Sequence, residues 1–361
     1  MSVKAMRRAL VVFVGTIALL IAGAIGLYGY AVRYPDRPLN RAGKSITVTI
    51  PHGSNFTRVV GALGQSGLVG SPAAFKVFAN YKGLASKVRA GTYTFKPDIT
   101  PRNLLDVLVH GVPAPTVKVL IPEGKNMLEV AQILADARIA PRDQLVEQMR
   151  NPRFLHRIGI PAVSIEGYLF PDTYKLKAFT GAQDALEKLV RRHHGVFYAL
   201  RARHKAGLAW LRKNLRWGHH EIVTLASIVE KETGQPQERP IIAGVFLNRL
   251  TLPGFRSRLL QTDPTIIYGC TVARPRSSAC GKFEGRIRRM HLDDAENPYN
   301  TYQHAGLPPG PIANPGRAAL DAVLDPRKTR YLYFVSKNDG THQFSATREE
   351  HERAVDRYQR K

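Results

Sequence analysis

The segment Glu221-Ile-Val-Thr-Leu-Ala-Ser-Ile-Val-Glu230-Lys-Glu232-Thr233-Gly234 carries the carboxylates best arranged for acid–base chemistry. Ile222, Leu225, Ala226 and Val229 recur three and four residues apart, the apolar stripe of an amphipathic helix, and Gly234 is a natural C-cap. A further step of three from Val229 reaches Glu232, whereas Glu230 falls about 200° away on the other flank. A carboxylate in the last turn of a mostly buried helix meets the negative end of the macrodipole and loses solvent. Both effects raise its pKa, as a general acid working near neutral pH requires. On this pattern alone the plainer account, two solvated helix-end glutamates, holds.

Other templates for chemistry are absent. There is no GxSxG elbow, no GxxxxGK[ST] loop and no HExxH pair. His219-His220-Glu221 does not make a metal site, because neighbouring helical residues point about 100° apart; surface polar residues before a helix are the expectation. Cys270 and Cys280 have no second Cys/His pair at ligand spacing, so neither zinc nor any other metal or cofactor is expected.

Two related segments must position this chemistry. Val48-Thr-Ile50-Pro51-His-Gly53-Ser-Asn55 is answered by Val119-Leu-Ile121-Pro122-Glu-Gly124-Lys-Asn126 at an offset of 71 residues, and the register continues through Val59/Val130, Leu63/Leu134 and Leu68/Ile139. Each copy reads as a short β-branched strand, a Pro/Gly turn and an amphipathic helix. Gly91 to Phe95 alternates like a strand, Thr100 to Val109 reads as a helix opened by an N-cap threonine, and Tyr331 to Val335 reads as a buried strand. Gly111-Val-Pro113-Ala-Pro115 is the expected boundary between modules. Beyond it helices and short strands alternate without βαβ regularity, which predicts an α+β fold.

The chain of 361 residues carries 53 Lys and Arg against 28 Asp and Glu, a formal charge of +25. Such a field favours polyanionic partners without choosing among nucleic acid, anionic lipid and acidic wall polymer. The N-terminus narrows the choice. Ala9 to Val32 is free of charge and, as a helix, is roughly 36 Å long, enough to cross a bilayer. Tyr28, Tyr30 and Tyr34 sit where an interfacial belt forms. Ala22-Gly23-Ala24 offers a signal-peptide site, but the apolar run exceeds the usual core. The expectation is a cytoplasmic tail over 1–8, a transmembrane helix over 9–32, a linker over 33–44 and the remainder outside the cytoplasm. That compartment, and the lack of any nucleic-acid recognition motif, speaks against nucleic acid.

Seven further blocks fall in order along the chain. They are Glu166-Gly-Tyr-Leu-Phe-Pro-Asp-Thr-Tyr174, Ala226-Ser-Ile-Val-Glu-Lys-Glu-Thr233, Val245-Phe-Leu-Asn-Arg-Leu250, Leu260-Gln-Thr-Asp-Pro-Thr-Ile-Ile-Tyr-Gly269, Tyr299-Asn-Thr-Tyr302, Gly306-Leu-Pro-Pro-Gly-Pro-Ile312 and Tyr331-Leu-Tyr-Phe-Val335. Together they resemble the endolytic murein transglycosylase (YceG-like) family, collinearly from about residue 45 to the C-terminus. The resemblance implies a single-pass inner-membrane protein with a small LysM-like module, here residues 45–113. It also implies a lysozyme-like transglycosylase domain, here 114–361, facing the periplasm. It implies one essential glutamate within Glu230-Lys-Glu232-Thr233. Glu232 is the choice and Glu230 the reserve, since in the wider group the catalytic glutamate ends a helix and a hydroxyl residue follows. Gln261, Thr262, Asp263, Asn300 and Tyr302 are candidate sugar-binding residues, and equally turn formers. The stretch from Gly269 to Met290 departs from the family pattern.

The implied reaction cleaves the MurNAc-β-1,4-GlcNAc bond of nascent glycan strands, leaves 1,6-anhydro-MurNAc ends and ends strand elongation. One glutamate serves as acid and then as base, because the nucleophile is the sugar's own C6 hydroxyl. The partners expected are glycan strands, inner-membrane lipid and peptidoglycan synthases. A hydrolytic muramidase would need a second carboxylate, Asp263 or Asp172; a non-catalytic wall-binding scaffold would need none. In an oxidising compartment, Cys270 and Cys280 are expected to form a disulfide.

Overall fold

The computed structural model describes residues 3–39, 43–51, 53–111 and 115–360, without the side chains of 3–15 and 18. The chain divides into two compact units, Met1–Ala114 and Pro115–Lys361. The junction expected around Val112 to Ala114 lies outside the described residues.

The first unit opens with helix α1 (Val3–Arg33). It covers the expected span as backbone, and Leu19, Leu20, Ile21, Ile25 and Leu27 are exposed on it. Among the described residues, however, no helix is long and apolar enough to cross a membrane. Strand β1 (Ile46–Ile50), helices α2 (Phe56–Gln65) and α3 (Pro72–Tyr81), strand β2 (Gly91–Phe95) and helix α4 (Pro101–His110) follow. β1 and β2 pair antiparallel. The inward residues of the strands, Val48, Ile50, Tyr93 and Phe95, close one core with Val59, Leu63, Phe75 and Leu104. Alternation along the strands and 3.6-residue periodicity along the helices produce this face.

The second unit repeats the plan before extending it. Strand β3 (Thr116–Leu120), helices α5 (Met127–Asp136), α6 (Arg142–Gln148) and α7 (Pro152–Arg157), and strand β4 (Thr173–Lys177) close an antiparallel pair. The repeat is therefore larger than a strand and a helix. Val48 stands opposite Tyr93 as Val119 stands opposite Tyr174. Each tyrosine hydroxyl donates to the carbonyl four residues back, Tyr93 to Arg89 and Tyr174 to Phe170, both at 2.6 Å. Asn55 and Asn126 cap the helices that follow the two turns, and Gly53 and Gly124 give those turns positive φ, 74° and 72°.

The remaining elements are helices α8 (Ala182–Arg203), α9 (Lys205–Leu215), α10 (His219–Glu232), α11 (Arg239–Thr251), α12 (Asp263–Thr271), α13 (Arg289–Leu292) and α14 (Arg317–Leu324). The hairpin β5 (Tyr333–Ser336)–β6 (His342–Ser345) and helix α15 (Arg348–Tyr358) end the chain. β5 was expected to be a buried strand, but only Val335 of it is buried, because it belongs to a two-stranded hairpin rather than a central sheet. Leu225, Ile228 and Val229 of α10 lie in the core with Ile242 and Phe246 of α11 and Leu320 and Val323 of α14. The fold is mixed, of helices and short antiparallel strand pairs. Cys270 and Cys280 are bonded to each other in a small cluster with Ile266.

Candidate active site

α10 runs through the core with residues 222–229 buried on every side, so the sequence stripe understates its burial. The helix stops at Glu232. Thr233 is extended, with φ −145° and ψ 138°, so the expected Gly234 cap is not used. Ending the helix there points the Glu232 carboxylate out of the last turn to the start of α12, where Thr262 Oγ1 donates to Glu232 Oε1. Burial pushes the Glu232 carboxyl up to about 7; the Thr262 hydrogen bond opposes this and the nearby Asp263 charge adds to it. This carboxyl is thus divided between protonated and ionised forms near neutral pH.

Thr262 occupies the N-cap position of α12 but gives its side chain to Glu232 instead of the helix. Its backbone is held by Thr301, whose Oγ1 accepts from Thr262 N at 3.1 Å, and Thr265 Oγ1 donates to Thr262 O at 2.7 Å. Gln261 is exposed and takes φ +52°, a left-handed conformation rare for a residue with a Cβ. Asp263 is exposed in the first turn of α12 and accepts from Tyr302 Oη at 2.8 Å. Thr262, Asp263 and Tyr302 are thus brought beside Glu232, with Gln261 next to Thr262 in the chain. Asn300 does not. It is wholly buried, and its amide donates to the carbonyls of His291, Leu292 and Asp294 while its oxygen accepts from Tyr302 N. With no atom left to meet a ligand, its part is to shape the loop that presents Tyr302.

Glu230 stands differently. Its carboxylate is paired with Arg239 at 2.9 Å and accepts from Gly316 N at the start of α14, also at 2.9 Å. Burial raises its pKa, with the hydrogen bond from Gly316 and the Arg239 charge acting the other way. The flank expected to be solvated is covered by α11 and by the turn before α5. There Gly316 lies so close to Glu123 that a Cβ would sit 1.9 Å from its Oε1. Asp172 is ion-paired with Arg192 at 2.8 Å, at the start of β4.

Four side chains escaped the sequence reading. Arg249 is buried, donates from Nε to Leu332 O at 2.7 Å and lies over the Phe255 and Tyr333 rings; burial lowers its pKa, and the Glu232 charge is among those opposing that. Glu238 accepts from His342 N at 2.8 Å and pairs with His342 Nδ1 at 2.7 Å, and Thr233 Oγ1 donates to it at 3.1 Å. Burial alone would raise Glu238, but the bonds from His342 hold it below the usual carboxylate range. The His342 charge in turn favours the ionised form of Glu232. Deeper in, Glu166 accepts from Met127 N at 2.9 Å and from Asn314 Nδ2 at 3.0 Å, and burial pushes it up to about 8. Glu166 and Arg249 lie in the blocks Glu166–Tyr174 and Val245–Leu250, so their spacing carried a signal; Glu238 and His342 lie in none.

The histidine pair opens α10 and is not a solvated lead-in to it. His219 stacks on Phe197 at 3.7 Å and shares a hydrogen bond with His193 at 2.9 Å, and burial pushes its pKa down to about 3. Among the described residues no group of three or more His, Cys, Asp or Glu side chains is assembled to hold a metal ion.

Fold and site define a mixed helix-and-strand protein with one protonatable glutamate at a helix end, framed by threonine, tyrosine and arginine. The chain belongs to the YceG-like family, whose model matches residues 48–357. It is 29% identical over 354 residues to the endolytic murein transglycosylase of Bacillus subtilis (strain 168), covering 94% of this chain and 91% of that one. It is 28% identical to the protein of that name from Streptococcus pneumoniae (strain ATCC BAA-255 / R6), covering 95% of this chain and 64% of that longer one. A crystal structure of a YceG-like protein from Listeria monocytogenes superposes with a TM-score of 0.54 at 29% identity, over 87% of this chain and all of that one.

Proposed function

We propose that this chain is an endolytic murein transglycosylase that cuts the MurNAc-β-1,4-GlcNAc bond and leaves 1,6-anhydro-MurNAc ends. The observation that carries the reading is Glu232, a helix-end carboxyl raised to about 7 that is bonded to Thr262 and lies near the Asp263 charge. Protonated Glu232 gives its proton to the glycosidic oxygen as the C1–O bond breaks, releasing the GlcNAc side as an alcohol. The ionised carboxylate then takes the proton of the C6 hydroxyl as that oxygen bonds to C1, which returns Glu232 to its starting form. The nucleophile is tethered to the reacting ring, so no second carboxylate has to activate water. Asp263 can offset positive charge developing on the ring, and Gln261 and Tyr302 are suited to its hydroxyls. In the cell this cut would end strand growth beside the synthases.

Glu232→Gln keeps the size and polarity of the side chain but cannot give up a proton. Cleavage of purified glycan should be lost while the circular dichroism spectrum and Tm stay as in the parent; near-normal turnover would refute the assignment. The proximity of Asp263 to Glu232 favours one second reading, a hydrolytic muramidase. Mass spectrometry of released fragments separates the two, since anhydro ends are one water lighter.

The same reading makes Ala9 to Val32 a membrane anchor, with residues 45–113 a LysM-like module and a lysozyme-like catalytic unit beyond. The anchor is supported by 24 consecutive uncharged residues within one helix. The full-length protein should stay with membranes after a high-salt wash; a soluble form beginning shortly after Ala24 would make the segment a signal peptide.

A further inference from the structure

A second groove lies in the catalytic unit, on the other side of α11 from Glu232. Gly244, Leu247, Asn248 and Thr251 form one stripe of that helix and line a cavity of about 660 Å³ with α9 and the chain after α14. Arg249 leaves the helix on the opposite side, towards Leu260 O and the Glu232 site. Two glycines let the groove form. A Cβ on Gly207 of α9 would sit 1.8 Å from Leu324 O, and one on Gly244 would sit 2.5 Å from Arg327 O. The segment from Leu324 to Thr329 is therefore pressed against both helices and becomes the groove's floor.

The lining is chemically mixed. Trp210 offers an indole that remains 42% exposed, an unusual place for so large an apolar ring. Arg203, Arg327 and Lys328 line the same groove, and no ion pair involving any of the three is seen among the described residues. Asp325 is the one acid in the lining, so cations prevail. Asn248 gives its two amide hydrogens to Thr329 O at 2.9 Å and to Tyr331 O just beyond the floor at 3.0 Å, and keeps its carbonyl as an acceptor. The volume falls within the roughly 300–1,000 Å³ usual for small-ligand sites.

We propose that this groove is a non-catalytic seat for a carboxylate-bearing amino sugar with its attached acidic peptide, as in an uncut stretch of the murein strand. The proposal rests on the murein-cutting reading above and adds a second contact to it. An indole face fits the C–H face of a pyranose ring, the Asn248 carbonyl accepts from hydroxyl or amide groups, and the three cations pair with carboxylates. A phosphate-only polymer would use the cations and leave the indole without a partner. Holding peptide-bearing glycan here would raise its local concentration near Glu232 across α11.

The test uses the full chain in detergent, carrying Glu232→Gln so that nothing is cut, and labelled with fluorotryptophan. The chain has two tryptophans, Trp210 in the groove and the buried Trp217, so one resonance reports the groove directly. Titration with a purified GlcNAc–MurNAc–peptide fragment should shift the Trp210 signal, and uncharged chitobiose should shift it far less. The double variant R327E/K328E should weaken that response roughly tenfold and salt should weaken it in the parent. In the chain with Glu232 intact the same double variant should raise KM on peptide-bearing strands and leave kcat unchanged. A Trp210 resonance unmoved by the fragment, or moved only by a polyol-phosphate polymer, overturns the proposal. Absence of cleavage by the chain with Glu232 intact, with Trp210 still responding in Glu232→Gln, would instead overturn the catalytic reading.

Discussion

Glu232 lies under opposing influences, and their signs fix how activity must vary with pH. Burial and the Asp263 charge favour the protonated acid, while the Thr262 hydroxyl stabilises the carboxylate. The first step needs the proton, and the protonated fraction falls as pH rises through about 7. kcat/KM should therefore decline above neutrality. Thr262→Val removes the bond that favours the ionised form and should move this limb to higher pH, whereas Asp263→Asn removes a charge that favours the proton and should move it lower. Parallel shifts in the two variants would mean that the limb reports another group.

At the scale of elements, the helix end holds its shape because Glu230 ties three segments together. It pairs with Arg239 at the start of α11 and accepts from Gly316 at the start of α14, while Glu123 of the turn before α5 approaches Arg239 at 3.6 Å. Removing one member of a buried pair leaves the other charge unpaired, a cost of about 3–5 kcal/mol. Glu230→Ala and Arg239→Ala should each destabilise the second unit by that order in denaturant titrations. Loss of activity in Glu230→Ala with unchanged stability would return this residue to the chemistry. The turn involved is that of the second repeat copy: Lys231 Nζ reaches Gly124 O at 3.4 Å, and Gly124 N donates to Asn314 O at 3.0 Å. One copy of a duplicated plan, helices enclosed between two paired strands, has thus become the support of α10.

At the scale of the molecule, the buried apolar side chains of the described residues form one large core in each unit and a small third cluster around the disulfide. A unit that owns its core needs no neighbour to bury it. Residues 115–361 expressed alone should melt in a single cooperative transition with a helical circular dichroism spectrum; a non-cooperative melt would show that the first unit is required. The charge of +25 is a property of the entire chain and suits an acidic polymer as partner.

The sequence by itself determined what depends on short-range order. The stripe from Ile222 to Val229, the amphipathic helices after both turns, the duplicated register from Val48 and Val119, and the α+β class all follow from periodicity and turn chemistry. Periodicity alone left Glu230 and Glu232 as two helix-end glutamates, and the choice of Glu232 came from the family resemblance. Only the tertiary structure decided what depends on segments far apart in the chain. It gave Glu230 to Arg239 and Gly316, and buried Asn300 within its loop. It also brought Thr262 to Glu232 across 30 residues, and Glu238 to His342 across 104. A side chain's hydrogen-bond partner and degree of burial are set by which surfaces meet, and no spacing along one segment encodes the arrival of another.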